Sequence, residues 1–332
     1  MGKGRAEFAN FICRFGEHVL LDYAEEIVLP AFLDDALIRS YGREHPTHYH
    51  FLDVKLERAP ENPETLLLSG QFVKDTALWR EQIFAEGKGL VHDEASMRSA
   101  PSAFFVLILN NHRLIYMPET AYAPTLDEFR STVSYFMRKK YRMFVDQKIA
   151  ERGGDETERP RVLKEFAAPS LKIVPLPSRD SIEDFVSRYS VLKRIEFKVL
   201  DTNDDIDGSE LLAGVRGFGE AVGADKAVLA ADTSAKEGLD KGKSAEIIHE
   251  ASAAGNHAVR LRGWDQEGNK LDGSNEEFRV SVGVGEVPAS RRSKLRLLVS
   301  LFFNLLTNGT IKVDSSAVDN SAKIDRLAAA LD

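Results

Sequence analysis

Residues 101–149, PSAFFVLILNNHRLIYMPETAYAPTLDEFRSTVSYFMRKKYRMFVDQKI, decide the fold of this chain. An apolar run at 104–109 is followed by a polar turn at 110–112 and a second apolar run at 113–117. Two apolar runs separated by a tight polar turn are typical of a β-hairpin, and the first run is apolar enough to be buried. The segment therefore predicts a central pair of antiparallel strands.

A long helix is predicted after this hairpin. Thr125 and Glu128 form a Thr-x-x-Glu capping box, and Asp127 and Glu128 place negative charge in the first turn, where the helix dipole favours it. Apolar residues then recur at helical spacing and supply a buried face: Leu126, Phe129, Val133, Phe136 and Phe144. The other face is basic and bears Arg138, Lys139, Lys140 and Arg142.

The strands before the hairpin complete the first predicted domain. Apolar patterning predicts strands near residues 8–15, 50–58 and 66–73, with a helix or irregular connection at 78–85. Together with the hairpin and the long helix, they predict an antiparallel sheet with a helix packed on it. We expect this α+β domain to span residues 1–150, a common domain size.

The rest of the chain predicts a second domain. The charged segment 151–168, which contains Gly153 and Gly154, is the expected linker. Residues 169–310 predict a mixed α/β domain in which strands 257–264 and 278–284 pair and a helix at 290–306 closes the fold. Residues 311–332 predict a polar or weakly helical tail. The predicted fold class is therefore α+β in two domains.

The composition excludes several classes of protein. The 332 residues are 43% hydrophobic, enough for packed cores, and the single cysteine, Cys13, excludes an intramolecular disulfide. The N-terminus lacks the apolar run of a signal peptide. The most apolar segment, residues 295–306, is shorter than the roughly 20 residues needed to span a bilayer. We therefore expect a cytoplasmic protein that does not span a membrane, with residues 295–306 in a buried helix.

The formal net charge of −8 disfavours a simple nucleic-acid binder, because such proteins are more often basic. Phosphate binding depends on local potential, however, since salt screens charges more than about 8–10 Å apart. Two cationic clusters stand out: Arg138, Lys139, Lys140 and Arg142, and Arg291, Arg292, Lys294 and Arg296. Both are candidates for holding the phosphates of double-stranded DNA.

The second cluster lies at the start of a predicted helix, where the dipole disfavours cations. Two explanations are open. A bound phosphate would accept hydrogen bonds from the free N–H groups of residues 290–293 and from the guanidinium groups. Alternatively, the cations pair with acidic residues of this same chain. Neither cluster has a base-reading motif, so any DNA binding is expected to be weakly sequence-selective and sensitive to salt.

A pair of residues suggests an enzyme as the alternative. Glu196 and Lys198 lie two residues apart on a predicted strand and so share one of its faces. With Asp184 or Asp180 upstream, they match the carboxylates and lysine of a magnesium-dependent nuclease. Charged residues also alternate with apolar ones on any half-exposed strand, so we do not predict catalysis from this pattern.

Two further patterns resemble metal sites without matching them. Asn203, Asp205 and Asp207 fit positions 1, 3 and 5 of a calcium loop, but Gly214 stands at position 12, where the loop needs a bidentate Glu. A group of histidines has a spacing that matches no catalytic motif: His45, His48 and His50. We therefore predict no metal site and no cofactor.

Several runs resemble the RexA family of lambdoid phage-exclusion systems. They are Ala100-Pro101-Ser102 with Phe104-Phe105-Val106, then Asn110-Asn111, then YAPTLDEF at 122–129, and later VRLRGWDQEG at 259–268. The resemblance covers about residues 95–300. It implies a two-domain, homodimeric, cytoplasmic DNA-binding protein that senses phage infection and acts with a membrane effector protein. It supplies no site residues.

The sequence thus predicts a non-enzymatic, largely sequence-independent DNA-binding protein of a phage-exclusion, anti-phage defence system. One alternative is a magnesium-dependent nuclease that uses Asp184, Glu196 and Lys198. The other is an acidic protein-interaction module whose basic clusters form intramolecular ion pairs.

Overall fold

A computed structural model describes residues 4–43, 45–203, 205, 209–224, 226–313, 319–329 and 331. The strands are β1 (Gly4–Phe15), β2 (His18–Val19), β3 (Arg39–Tyr41), β4 (Thr47–Ala59), β5 (Asn62–Ala85), β6 (Gly89–Ser99), β7 (Ser102–Ile108), β8 (Arg113–Pro118), β9 (Ser170–Pro175), β10 (Tyr189–Val199), β11 (Val228–Asp232), β12 (His257–Asp265), β13 (Lys270–Ser274) and β14 (Ser281–Gly285). The helices are α1 (Leu29–Leu33), α2 (Leu126–Glu151), α3 (Arg159–Glu165), α4 (Arg179–Ser187), α5 (Glu210–Ala221), α6 (Lys241–Ser252), α7 (Arg291–Thr307) and α8 (Ser321–Ala329). The α+β fold class is confirmed.

The large sheet has the strand order β14-β1-β8-β7-β5-β4-β3, with β2 and β9 paired to β1 and β6 paired to β5. The predicted central hairpin is confirmed, since β7 and β8 are antiparallel and Val106 lies opposite Ile115. In the turn between them, His112 adopts a φ of +55°. That left-handed conformation is one that short polar residues and His tolerate better than branched ones.

Both faces of the large sheet are covered. Side chains alternate along a strand, so Phe105 and Leu107 of β7 enter one core with α1 and α2, and Phe104 and Val106 enter a second core with α7. A strand buried on both faces needs apolar residues at every position. This explains why residues 104–109 are apolar without alternation.

Two predictions about the C-terminal half are wrong. The helix predicted at 290–306 forms as α7, but it packs on the large sheet and does not close a separate C-terminal domain. Residues 278–284 do not pair with 257–264. Instead β12 pairs with β13, and β14 pairs with β1. The apolar residues of β14 and α7 complete the core around Phe8, which lies far away in sequence.

The large sheet consequently includes segments from both sides of the predicted linker. Strands β9 and β14 pair with β1, although they follow residue 168. The linker region itself contains α3, whose Val162 is buried in the α2-side core. In the predicted tail, α8 buries Ile324 and Leu327 in the same core. Residues 1–150 alone therefore lack part of this sheet and its cores.

The small sheet has the order β11-β10-β12-β13 and is antiparallel throughout. Ile195 and Phe197 of β10 share a core with α4 and α6, which contribute Ile182, Phe185 and Ile248. Glu196 and Lys198 alternate with these core residues and so lie on the opposite face of the sheet.

A buried polar network joins the large sheet to the loop between α6 and β12. The Arg113 side chain is fully buried, and its Nη1 donates to Asn10 Oδ1 and to the Asn111 carbonyl, both at 2.8 Å. Its Nη2 donates to the Ala254 carbonyl at 3.2 Å. Asn10 Nδ2 in turn donates to Asn256 Oδ1 at 2.9 Å. The network thereby fixes β1 and β8 to the α6–β12 loop.

A two-stranded ribbon extends from the large sheet, and we call residues 76–99 the β arm. The prediction of a helix or irregular connection at 78–85 is wrong, because β5 continues as a strand to Ala85 and pairs with β6. Residues 82–85 pair with 89–92 around the Gly87-Lys88 turn, in which Gly87 has a φ of +75°. This pairing imposes strand geometry on a segment whose spacing is ambiguous.

The helices of the described residues are all too short or too polar to cross a membrane. Helix α7 contains the apolar segment 295–306, and its Leu295, Leu298 and Phe302 are buried against the sheet. The prediction of a buried helix at 295–306 is confirmed.

Candidate nucleic-acid interface

Helix α2 is fixed at its N-terminus by the predicted capping box. Thr125 Oγ1 accepts a hydrogen bond from Glu128 N at 3.1 Å, and Glu128 Oε2 accepts one from Thr125 N at 2.7 Å. The Glu128 carboxylate also accepts hydrogen bonds from Tyr49 Oη and, at 2.9 Å, from Lys74 Nζ. One acidic residue thus joins the start of α2 to strands β4 and β5.

The pKa of Glu128 reflects these contacts. Burial alone would raise it, but hydrogen bonds from Tyr49 and Lys74 outweigh burial, so the pKa lies below its ordinary value of 4.5. A lowered folded-state pKa stabilises the protein above the unfolded-state pKa, and this stabilisation is lost as pH falls through the folded-state value.

Replacing Glu128 by Gln is expected to lower the free energy of unfolding by about 1 kcal/mol at neutral pH, a typical value for a lost cap. The difference from wild type should shrink as pH falls through the lowered pKa, since the wild-type carboxylate is then protonated. Urea unfolding at neutral and acidic pH measures both values. Glu86→Gln, in the exposed turn of the β arm, is the control. An equal loss at both pH values would contradict the carboxylate's role.

The exposed face of α2 presents a stripe of cations. Arg138, Lys139 and Arg142 are exposed, and with exposed Tyr135 they occupy positions i, i+3, i+4 and i+7 of the helix. Such positions lie on one side of a helix. Among the described residues, none of the three cations has a carboxylate within 4 Å. We call Arg138, Lys139 and Arg142 the α2 stripe.

Lys140 belongs to a different side of the helix. Its side chain is only 11% exposed and forms an ion pair with Asp34. The hydrogen bond from Lys140 is the main reason that the pKa of Asp34 is lowered. Successive side chains along a helix are rotated by about 100° around its axis. Lys140 therefore lies on a different side of α2 from Lys139, although the two residues are adjacent in sequence. The prediction that Lys140 is free to hold a phosphate is not supported.

The second predicted cluster, Arg291, Arg292, Lys294 and Arg296, lies at the start of α7, and two of its cations are already neutralised within the chain. Arg291 Nη2 donates to Glu57 and, at 2.6 Å, to Ser69 Oγ. Lys294 Nζ donates to Glu119, and the side chains of Lys294 and Glu119 are only 11% and 6% exposed. The negative charge that offsets cations at the start of α7 therefore comes from Glu57 and Glu119. Of the two explanations for this cluster, intramolecular ion pairing therefore applies to Arg291 and Lys294.

The remaining cations of this cluster, Arg292 and Arg296, are exposed, but they lie on the other side of the molecule from the α2 stripe. Helices α2 and α7 pack on opposite faces of the large sheet. Two such layers lie about 20 Å apart, well beyond the screening length of about 8 Å in physiological salt. The two predicted clusters therefore cannot line one groove.

The nuclease residues are not brought together. Asp184 is exposed on α4, and α4 packs on the face of the small sheet formed by Ile195 and Phe197. Glu196 lies on the opposite face and accepts a hydrogen bond from Arg194 Nη2 at 2.8 Å. Asp180 is in the same helix as Asp184. The structure thus gives Glu196 a neutralising partner on its own strand.

The calcium-loop pattern also has a structural explanation in part. Asn203 is fully buried, with its Oδ1 accepting from Cys13 N at 2.9 Å and its Nδ2 donating to the Phe11 carbonyl at 2.6 Å. Through these two bonds, the Asn203 side chain pairs with the backbone of β1. Asp207 lies outside the described residues. Over the part of the chain that the structure describes, no three His, Cys, Asp or Glu side chains are grouped to hold a metal ion.

The β arm lies outside every site that was predicted from the sequence. The available signal was the Gly87-Lys88-Gly89 turn with apolar residues on both sides, which is typical of a hairpin. Apolar residues in a strand predict burial, but Phe84 is 76% exposed. Only the structure shows that the arm projects beyond the sheet.

Comparison with protein-family models and with curated proteins found no match to this chain.

Proposed function

We propose that this protein binds double-stranded DNA through the α2 stripe, without enzymatic activity and with little sequence selectivity. The observation that supports this is a row of three exposed cations without carboxylate partners among the described residues, in a chain of net charge −8. Many other cations of the chain are paired, including those of the partly buried Lys294–Glu119 and Arg291–Glu57 ion pairs. Free cations in one row create the local positive potential that phosphates require.

The size of the α2 stripe sets the expected salt dependence of DNA binding. Arg138 and Arg142 are four residues apart, so the three cations span about 6 Å along the helix. Neutralising about three phosphates gives a slope of about −2.7 for log affinity against log salt. A fourfold rise in salt would then weaken binding by roughly 40-fold.

The test is fluorescence anisotropy with a labelled duplex across a salt series. Changing Arg138, Lys139 and Arg142 to Ala is expected to abolish most of the salt dependence and to lower affinity by at least about tenfold at low salt. The charge-matched control is Arg292, Arg296 and Lys312 changed to Ala, on the α7 side of the sheet. It should bind nearly as wild type.

Two outcomes would reject the proposal. One is an absence of binding by the wild type even at low salt. The other is an equal loss in both triple variants, which would indicate a response to net charge alone. Incubation of the duplex with magnesium tests the enzymatic alternative, since cleavage that is lost in Glu196→Ala would identify a nuclease.

The resemblance in the sequence extends the proposal to a biological setting. It supports a cytoplasmic phage-exclusion protein that acts as a homodimer and with a membrane effector. The expected result is a lower phage plating efficiency on a host that expresses the chain, restored when the α2 stripe is changed to Ala. Equal plating with the wild type and an empty host would argue against this setting.

A further inference from the structure

The β arm concentrates exposed apolar side chains on a ribbon that extends about 30 Å from the sheet. Phe84 is 76% exposed, Leu90 is 73% exposed and Met97 is 64% exposed. Among the described residues, no third strand pairs with the arm along either of its edges. A lone two-stranded ribbon is marginally stable in water, and contiguous exposed apolar side chains mark an interaction surface.

The three most exposed apolar residues of the arm belong to two pairs on one face, whereas Trp79 and Ile83, which are 53% and 37% exposed, lie on the other face. Phe84 lies directly opposite Leu90 near the tip, and Leu78 lies opposite Met97 near the base. Residues 78, 80, 82 and 84 share a face because side chains alternate along a strand. The two apolar pairs are about 20 Å apart. Between them, the same face has Arg80 opposite Ala95 and Gln82 opposite His92, with a register shift between these two pairs.

This pattern, apolar at both ends and polar in the middle, is complementary to itself. When two arms are stacked face to face and antiparallel, the tip of each lies on the base of the other. A two-fold axis then passes through the polar centre, and each contact occurs twice, as an isologous interface requires.

The charge of the arm favours a protein partner. The arm has a net charge of −1, because it contains three cations and four carboxylates. The cations are Arg80, Lys88 and Arg98, and the carboxylates are Glu81, Glu86, Asp93 and Glu94. Interspersed charges of both signs do not attract a phosphate backbone or an anionic bilayer. They are compatible with a second copy of the same surface.

The size of the arm fits a reversible dimer. Of its 24 residues, about half lie on the stacking face, which is fewer than the roughly 20–30 residues on each side of a standard interface. The exposed apolar side chains at the tip and base would supply the buried anchors that dominate such interfaces.

We propose that two copies of this chain associate through their β arms. The arms stack face to face and antiparallel, so that Phe84 and Leu90 of one copy pack on Leu78 and Met97 of the other. This proposal rests on the homodimer of the proposed function, for which it names the interface, and it does not depend on DNA binding, because the α2 stripe lies outside the arm.

The first test is sedimentation velocity of the full chain over a wide concentration range. The wild type is expected to dimerise reversibly, and changing Phe84 and Leu90 to Lys is expected to raise the dimer Kd by about 100-fold or more. The control changes Leu211 and Phe218 of α5 to Lys, which are 58% and 69% exposed. It should dimerise as wild type. Circular dichroism checks that each variant is folded.

A monomeric wild type at every concentration would overturn the proposal. So would a dimer that survives in the Phe84→Lys, Leu90→Lys variant, since another surface would then be responsible.

The second test measures which ends of the arms meet. Leu90→Cys and Met97→Cys are made as separate variants, in which each new cysteine is the one accessible thiol because Cys13 is buried. Stacked sheets lie about 10 Å apart, so the two variants are mixed with a bismaleimide cross-linker of about that length. The mixed 90–97 cross-link should exceed both symmetric cross-links. Predominant 90–90 and 97–97 cross-links would show a parallel arrangement and overturn the antiparallel one.

Discussion

Changing Arg113 to Met is expected to lower the free energy of unfolding by about 4 kcal/mol. The guanidinium is fully buried and donates to the Asn10 side chain and to the carbonyls of Asn111 and Ala254. Met fills much of the same volume but donates no hydrogen bond. The three acceptors lose this donor in the interior, and a buried polar group without a partner costs about 1–3 kcal/mol.

Urea unfolding followed by circular dichroism measures this loss. Arg292→Met is the control, because Arg292 is exposed on α7 and surface changes are usually within about 0.5 kcal/mol. Because the network joins the large sheet to the α6–β12 loop, hydrogen exchange should also become faster around residues 254–257. A loss below about 1 kcal/mol would show that the network contributes little to stability.

Changing Glu119 to Ala is expected to cost about 3–5 kcal/mol, the usual effect of removing one partner of a buried ion pair. Lys294 would remain almost buried without its carboxylate, and Gln71 Nε2 and Ser102 Oγ would lose an acceptor to which each donates at 2.7 Å. Lys294→Met is expected to cost a similar amount, since it leaves the Glu119 charge uncompensated.

The double variant separates pairing from packing. The double variant Glu119→Ala with Lys294→Met removes both charges together. Its loss of unfolding free energy should therefore be smaller than the sum of the two single losses by at least about 1 kcal/mol. Additive losses would contradict a direct coupling. If Lys294→Met instead weakened DNA binding without destabilising the protein, the lysine would be a phosphate ligand, as the sequence first suggested.

Much of the fold could be predicted from local sequence. The capping box at Thr125 and Glu128 set the start of α2, and the unbroken apolar run at 104–109 identified the strand that is buried on both faces. Both signals act over a few residues, so they are present in the sequence itself.

The partners of β14 and α7 could not be predicted in the same way. Residues 281–285 are a short strand of Ser, Val and Gly that would fit the edge of either sheet, and its pairing with β1 is set by contacts across most of the chain. Periodicity identifies that a segment is a strand, but it does not identify the strand to which it pairs.

The candidate site was predicted in part. Arg138, Lys139 and Arg142 are exposed as expected, and helical spacing separates them from Lys140, which turns toward Asp34. Nothing near Arg291 and Lys294 in sequence identifies Glu57 and Glu119 as their partners. Those contacts arise only when α7 packs over the large sheet, where Glu57 lies on β4 and Glu119 follows β8.

The position of β1 has a consequence for folding during synthesis. Gly4 pairs with Gly285. One edge of β1 therefore stays unpaired until the ribosome has added about 280 more residues. At about 5–20 residues per second, this interval lasts roughly 15–60 s. Pairing of such high contact order is slow, and an apolar strand with an open edge is prone to aggregate in the meantime. The nascent chain therefore depends on protection, by chaperones or by transient local structure, until its last strands have been translated.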